Sequence, residues 1–76
     1  MLLCLFLIEG AGVAVDSLRS LSLQNAKQLI VGNAYGFGLV LHVAAESRDD
    51  LDRALRDFAE VDGVTGIITL AIRTQP

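Results

Sequence analysis

The apolar residues of this chain are spaced as four strands and two helices would space them. The first run, residues 2–8, is apolar at every position, so a strand built from it would be hydrophobic on both faces. One face would carry Leu2, Cys4, Phe6 and Ile8, and the other Leu3, Leu5 and Leu7. Such a strand lies inside a sheet with both sides covered. A chain of 76 residues has few elements to cover the second side, so the pattern predicts a partner subunit.

The middle of the chain predicts a helix and two strands. A turn at residues 9–12 contains two glycines, and weak helical spacing follows over residues 13–22. Residues 27–31 form a more exposed strand, which we expect at the edge of the sheet. The third strand, residues 37–44, should direct one set of side chains toward the helices and the other set away from them. The first set is Phe37, Leu39, Leu41 and Val43, and the second is Gly38, Val40, His42 and Ala44.

The second helix has the clearest local signal. Ser47 is followed three residues later by Asp50, which resembles a capping box at a helix N-terminus. Apolar residues then recur at helical spacing over residues 48–60, at Leu51, Ala54, Leu55 and Phe58. We expect Gly63 to cap the helix at its C-terminus. Residues 65–73 supply a fourth strand.

The order βαββαβ with short connections predicts one ferredoxin-like α+β domain over residues 1–76. Its sheet would be four-stranded and antiparallel, with both helices on one face and the first and third strands in the centre. The second face of the sheet must then meet something outside the chain. Two sheets packed as a dimeric α+β barrel would satisfy this, and so would edge pairing or a peptide laid along the sheet.

The composition of the chain limits the classes of partner that we expect. The chain is 53% hydrophobic but has no run near the ~20 apolar residues of a membrane-spanning helix. Six basic and nine acidic residues give a net charge of −3 without a basic cluster, so we expect no direct nucleic-acid or membrane binding. The apolar N-terminus has no preceding cation and ends at Glu9, unlike a signal peptide. With its one cysteine, the chain is expected to be cytoplasmic.

The chemistry-bearing residues predict no enzyme, and a small enzyme of dimeric-barrel type, supported only by His42, is the third interpretation after a regulatory module and a peptide-binding chaperone. His42 is the only histidine, and a metal site would need two or three further ligands. Cys4 lies within the apolar run, where cysteine behaves as a small hydrophobe. We therefore expect no catalytic residue, no metal and no cofactor. Because surplus apolar surface favours association into a homodimer or higher oligomer, we expect an oligomer interface built from Cys4, Phe6, Val40 and His42.

A glycine-rich hairpin, residues 32–38, is the candidate ligand site. Successive glycines can present backbone N–H groups to an anion or a small ligand. The segment lacks the Gly-Lys-Ser/Thr of a phosphate loop, and a strand follows it rather than a helix. A plain turn is the alternative interpretation. The residues expected to contact a ligand are Asn33, Tyr35, Gly36 and Gly38.

Several segments together resemble the effector-binding (RAM-type) domain of the leucine-responsive regulator (Lrp/AsnC) family. They are residues 5–10, the strand at residues 38–43, the helix at residues 47–60, Gly63-Val64 and Thr69. The resemblance implies a stand-alone module of transcription regulation without its own DNA-binding segment. It also implies that the copies pair through their sheets and bind amino acids or related small molecules at subunit interfaces. On this interpretation a metabolite bound near residues 33–38 shifts the assembly state.

Two other families are also similar. The periplasmic nitrate reductase maturation chaperones have a similar third strand, second helix and Gly-Val turn, matching residues 43–75. That resemblance implies capture of a signal peptide along the sheet. The ACT regulatory domain shares the βαββαβ order and a glycine in the first turn, here Gly12.

Overall fold

The computed structural model of the chain describes residues 1–10, 12–13, 15–34 and 38–74. Six elements follow in the predicted βαββαβ order: β1 (Leu2–Glu9), α1 (Val15–Arg19), β2 (Ala26–Ala34), β3 (Gly38–Ala45), α2 (Arg48–Ala59) and β4 (Gly66–Thr74). The strands form one antiparallel sheet in the order β2-β3-β1-β4. The predicted ferredoxin-like α+β fold, with β1 and β3 in the centre, is confirmed. Within the described residues, no helix is both long and apolar enough to cross a membrane.

The hydrophobic core lies between the helices and one face of the two central strands. As predicted, the side chains of Leu39, Leu41 and Val43 on β3 point into it. Phe37, the fourth residue of that predicted set, lies outside the described residues. The other members are Cys4, Phe6 and Ile8 of β1, Ala45, Leu18 of α1, and Leu51, Ala54 and Phe58 of α2. Full burial of a large apolar side chain stabilises a fold by about 1.5–3 kcal/mol, so this layer is the main source of stability.

Two predicted interface residues belong to that core. Cys4 is 1% exposed and Phe6 is 0% exposed. The expectation that they form an oligomer interface is wrong, because helices of the same chain already cover their face of β1. The leucines at the alternate positions of β1 lie on the other face.

The N-terminus of α2 matches its prediction. Ser47 is the N-cap, and its Oγ accepts a hydrogen bond from the backbone N–H of Asp50 at 3.2 Å. The same hydroxyl donates to Oδ2 of Asp50 at 2.7 Å. The carboxylate also accepts from Asn25 and Arg53, at 3.4 and 3.3 Å, which joins the start of α2 to the segment before β2. These partners satisfy Asp50, which is 7% exposed.

The end of α2 differs from its prediction. Glu60 is the C-cap, and its backbone N–H donates to carbonyl oxygens of the last turn. Gly63 lies three residues further on, in a turn with φ of 91°. A Cβ on Gly10 would overlap the carbonyl oxygen of Gly63, so the turns before α1 and after α2 approach closely. The glycine is needed for that turn rather than for the helix cap.

The bounds of α1 and β2 differ most from their predictions. α1 has five residues, fewer than predicted, and only Leu18 is buried in it. β2 extends to Ala34, through residues that the sequence assigned to a loop. Pairing with β3 explains the extension, because Gly32 lies opposite Val40 and Asn33 opposite Leu39. As predicted, β2 is an edge strand.

Candidate functional site

None of the described residues forms a layer over the sheet face opposite the helices, and we call it the open face. Residues directly opposite each other in antiparallel strands share a face, so the register identifies its members. The central strands contribute Leu3, Leu5, Leu7, Glu9, Gly38, Val40, His42 and Ala44. The outer strands contribute Lys27, Gly32, Gly66, Ile68, Ala71 and Arg73.

The register arranges these residues in four rows that cross the sheet. The first row is Lys27, Ala44, Leu3 and Arg73, and the second contains His42, Leu5 and Ala71. The third row is Gly32, Val40, Leu7 and Ile68, and the fourth contains Gly38, Glu9 and Gly66. Rows two residues apart are separated by about 6.6 Å along the strands, so the first and fourth rows lie roughly 20 Å apart.

The centre of the open face is apolar and only partly shielded. Leu5, Leu7 and Val40 are half-buried, although no helix or loop in the described part of the chain covers them. On β4 the exposure increases, and Ile68 is 43% exposed. A contiguous apolar surface of this kind marks an interaction site more often than scattered exposed residues do.

The charges of the open face lie at its two ends. Lys27 and Arg73 occupy the first row, and Glu9 occupies the fourth. The carboxylate of Glu9 extends across Gly66, with Oε1 2.9 Å from the position a Cβ would take there. Within the described residues neither Glu9 nor Arg73 makes an ion pair or a side-chain hydrogen bond. The face is thus positive at one end and negative at the other.

His42 lies in a hollow of about 330 Å³ near the positive end. The residues around it include Leu3, Leu5, Ala71 and Arg73. The prediction that His42 points away from the helices is confirmed, as it is for Val40. Among the described residues, no group of three or more His, Cys, Asp and Glu side chains could hold a metal ion. Among the residues around the hollow, His42 and Arg73 are the two with polar side chains.

The predicted ligand-binding hairpin is described only in part. Asn33 lies on β2 with its backbone opposite Leu39, and Gly38 begins β3. Tyr35 and Gly36 lie outside the described residues. Gly38 has φ of 127°, and a Cβ there would overlap the carbonyl oxygen of Ile8. The fold itself therefore requires glycine at this position, and a ligand contact there stays a prediction.

Cys4 has the environment of an inert thiol. It is buried, and burial raises its pKa, with a smaller opposing effect from the positive charge of Arg48. The thiolate is the reactive form of cysteine, so a raised pKa keeps this group unreactive near neutral pH.

Sequence reasoning missed the contribution of β4 to the open face. Arg73 lies opposite Leu3 and Ala71 opposite Leu5, but the register shifts between Leu5 and Phe6. Leu70 falls at that irregularity and is 51% exposed. A bulge has no clear sequence signal within a run of apolar residues. Only the residue pairs of β1 and β4 on either side of the bulge identify which side chains of β4 share the open face.

No family model, curated protein or solved structure matches this chain.

Proposed function

We propose that this protein is a non-catalytic regulatory module that associates with itself through the open face and binds a small metabolite. The observation that carries the proposal is the apolar centre of that face, where Leu5, Leu7 and Val40 are half-buried and no layer of the described residues covers them. Covering them removes apolar surface from water, which favours association by about 25 cal/mol per Å² before the costs of association are subtracted.

The ligand would bind near the β2–β3 hairpin, at one end of the open face. Gly38 is the last residue of the hairpin and shares the fourth row with Glu9, so it lies at one end of the proposed contact between subunits. A molecule bound there would touch both subunits of a dimer. It would change the association constant by its differential affinity for the dimer and the monomer. An amino acid or a related metabolite is the ligand class implied by the resemblance to the Lrp/AsnC effector domain.

The test is a linkage experiment. The dimer dissociation constant is measured by sedimentation equilibrium with and without each of the twenty amino acids and a panel of small carboxylates. A true ligand shifts the dimer dissociation constant. By reciprocity, the ligand must bind the dimer and the monomer with different affinities, so its apparent affinity changes with protein concentration. Asn33→Ala should abolish the shift, whereas Asp62→Asn on the exposed turn after α2 should retain it. An association constant unchanged by every compound would contradict the ligand-binding part of the proposal.

A second candidate function is capture of an extended peptide, as in a maturation chaperone that binds a signal peptide. The observation favouring it is β4, an edge strand with Ile68, Leu70 and Ile72 exposed at 43, 51 and 39%. A peptide could add a strand there through main-chain hydrogen bonds. Titration with a labelled apolar signal peptide distinguishes the two functions. Peptide capture predicts saturable binding to a single chain, weakened by Leu70→Lys, whereas the first proposal predicts no saturable binding.

A further inference from the structure

We propose that the partner on the open face is a second copy of this chain stacked with its strands antiparallel, so that Arg73 of each copy meets Glu9 of the other. This inference rests on the proposed self-association and specifies its geometry.

A two-fold dimer of face-to-face sheets has its axis in the plane between the sheets, and stacked sheets keep their strands within about 30° of each other. Two arrangements follow. With the axis along the strands, each row faces the same row of the second copy, and β4 of each copy lies over β2 of the other. With the axis across the strands, each strand lies over the same strand of the second copy and runs in the opposite direction. The first row of each copy then faces the fourth row of the other.

The arrangement with the axis along the strands opposes like charges. The first row ends in Lys27 on β2 and Arg73 on β4. This axis therefore places Lys27 of each copy over Arg73 of the other. Glu9 would gain no cation, because its row otherwise contains glycines on the strands beside β1. Like charges brought together at an interface disfavour that pairing.

The arrangement with the axis across the strands pairs opposite charges. Arg73 then lies over the end of β4 in the second copy, where the carboxylate of Glu9 extends across Gly66. The symmetry forms this contact twice. Within one chain the two side chains belong to rows roughly 20 Å apart, so they cannot pair with each other. Both are exposed and have no ion-pair partner in the described part of the chain.

The same arrangement places apolar residues against apolar residues in the centre. The axis passes between the second and third rows, so Leu5 faces Leu7 of the second copy, and His42 faces Val40. The half-buried side chains of the open face are then covered by residues of the same strands in the second copy. The charge pairs at the two ends fix the direction of stacking, and the apolar centre supplies the association energy.

The test is a charge-reversal cycle measured as the dimer dissociation constant at low ionic strength. The variants are Glu9→Arg, Arg73→Glu and the double variant. Because two contacts are lost per dimer, each single reversal should weaken association about tenfold. The double variant should restore it to near the wild-type value. Added salt should weaken the wild-type dimer, because the end contacts are exposed.

Lys27→Glu is the second variant and discriminates between the two arrangements. In the proposed stack Lys27 does not face Arg73, so this change should leave the dissociation constant within about twofold of wild type. In the other stack it creates an ion pair with Arg73 and tightens the dimer. Circular dichroism confirms that each variant is folded.

The outcomes separate this inference from the proposed function. If the double variant dissociates more readily by the sum of the two single effects, the antiparallel stack is overturned, but self-association is not. Tightening by Lys27→Glu also overturns the antiparallel stack. A wild-type chain that is monomeric at every concentration overturns both.

Discussion

Leu5 of β1 and His42 of β3 lie directly opposite each other on the open face, in the middle of the sheet. Cross-strand neighbours of this kind pack side by side, so the only histidine of the chain has an apolar partner. In the proposed dimer both residues would be covered by a second copy.

This relationship predicts the effect of replacing His42 with leucine. On association the imidazole would lose water and face the apolar side chain of Val40 in the second copy. A leucine would instead add apolar surface to the contact. We expect His42→Leu to tighten the dimer about threefold or more. The measurement is sedimentation equilibrium of the two proteins side by side. Weaker association of the variant would mean that His42 makes a polar contact across the interface.

A carboxylate in the centre of the open face should prevent association. Leu7→Glu would bury a charge that faces Leu5 of the second copy, which costs several kcal/mol, so we expect at least about a hundredfold weaker dimer. The matched control is Thr69→Glu, because Thr69 is exposed on β4 but lies opposite Phe6, on the other face of the sheet. Size-exclusion chromatography with light scattering gives both masses. Equal masses for the two variants would place the contact elsewhere.

Gly38 and Gly32 should respond differently to a methyl group. Gly38 has φ of 127° and no space for a Cβ, whereas a Cβ on Gly32 would meet nothing within 4 Å. Gly38→Ala should lower the free energy of unfolding by about 1–3 kcal/mol, and Gly32→Ala should change it by less than about 0.5 kcal/mol. Urea unfolding at one fixed protein concentration compares them. A fully stable Gly38→Ala that fails to bind a metabolite would instead indicate that this glycine serves the ligand.

Cys4 should be protected from thiol reagents in the folded protein. Burial raises its pKa, so the thiolate fraction at neutral pH is lower than for a free cysteine, and the side chain is 1% exposed. We expect labelling by a maleimide only through unfolding, at a rate that rises with urea. Because the folded-state pKa is raised, the contribution of the thiol to stability is present below the ordinary thiol pKa and is lost as pH increases above it. Rapid labelling without denaturant would show that the face beneath the helices opens locally.

The fold could be predicted because several local signals agreed. Ser47 and Asp50 marked the start of α2, and the alternation through Leu39, Leu41 and Val43 identified the covered side of β3. β1 gave no such information, since it is apolar on both faces. The assignment of Cys4 and Phe6 to an interface was wrong for that reason, and alternation alone could not have corrected it.

The rest of the candidate site depends on register, which local sequence does not determine. The shift between Leu5 and Phe6 decides that Arg73 shares a row with Leu3, and the pairing with β3 extends β2 through Asn33. Glu9 looked like the residue that ends β1, yet its side chain occupies the open face beside Gly66. The positions of these charges therefore follow from tertiary pairing rather than from any motif.

The most direct test of this account is the solution mass of the wild-type chain across a dilution series, measured by light scattering. One chain has a mass of 8.1 kDa. Pairing through the open face predicts twice that mass at high concentration and a reversible transition toward one chain on dilution. A mass of one chain at every concentration would contradict self-association through the open face, and it would make peptide capture along β4 the better explanation of the exposed apolar residues.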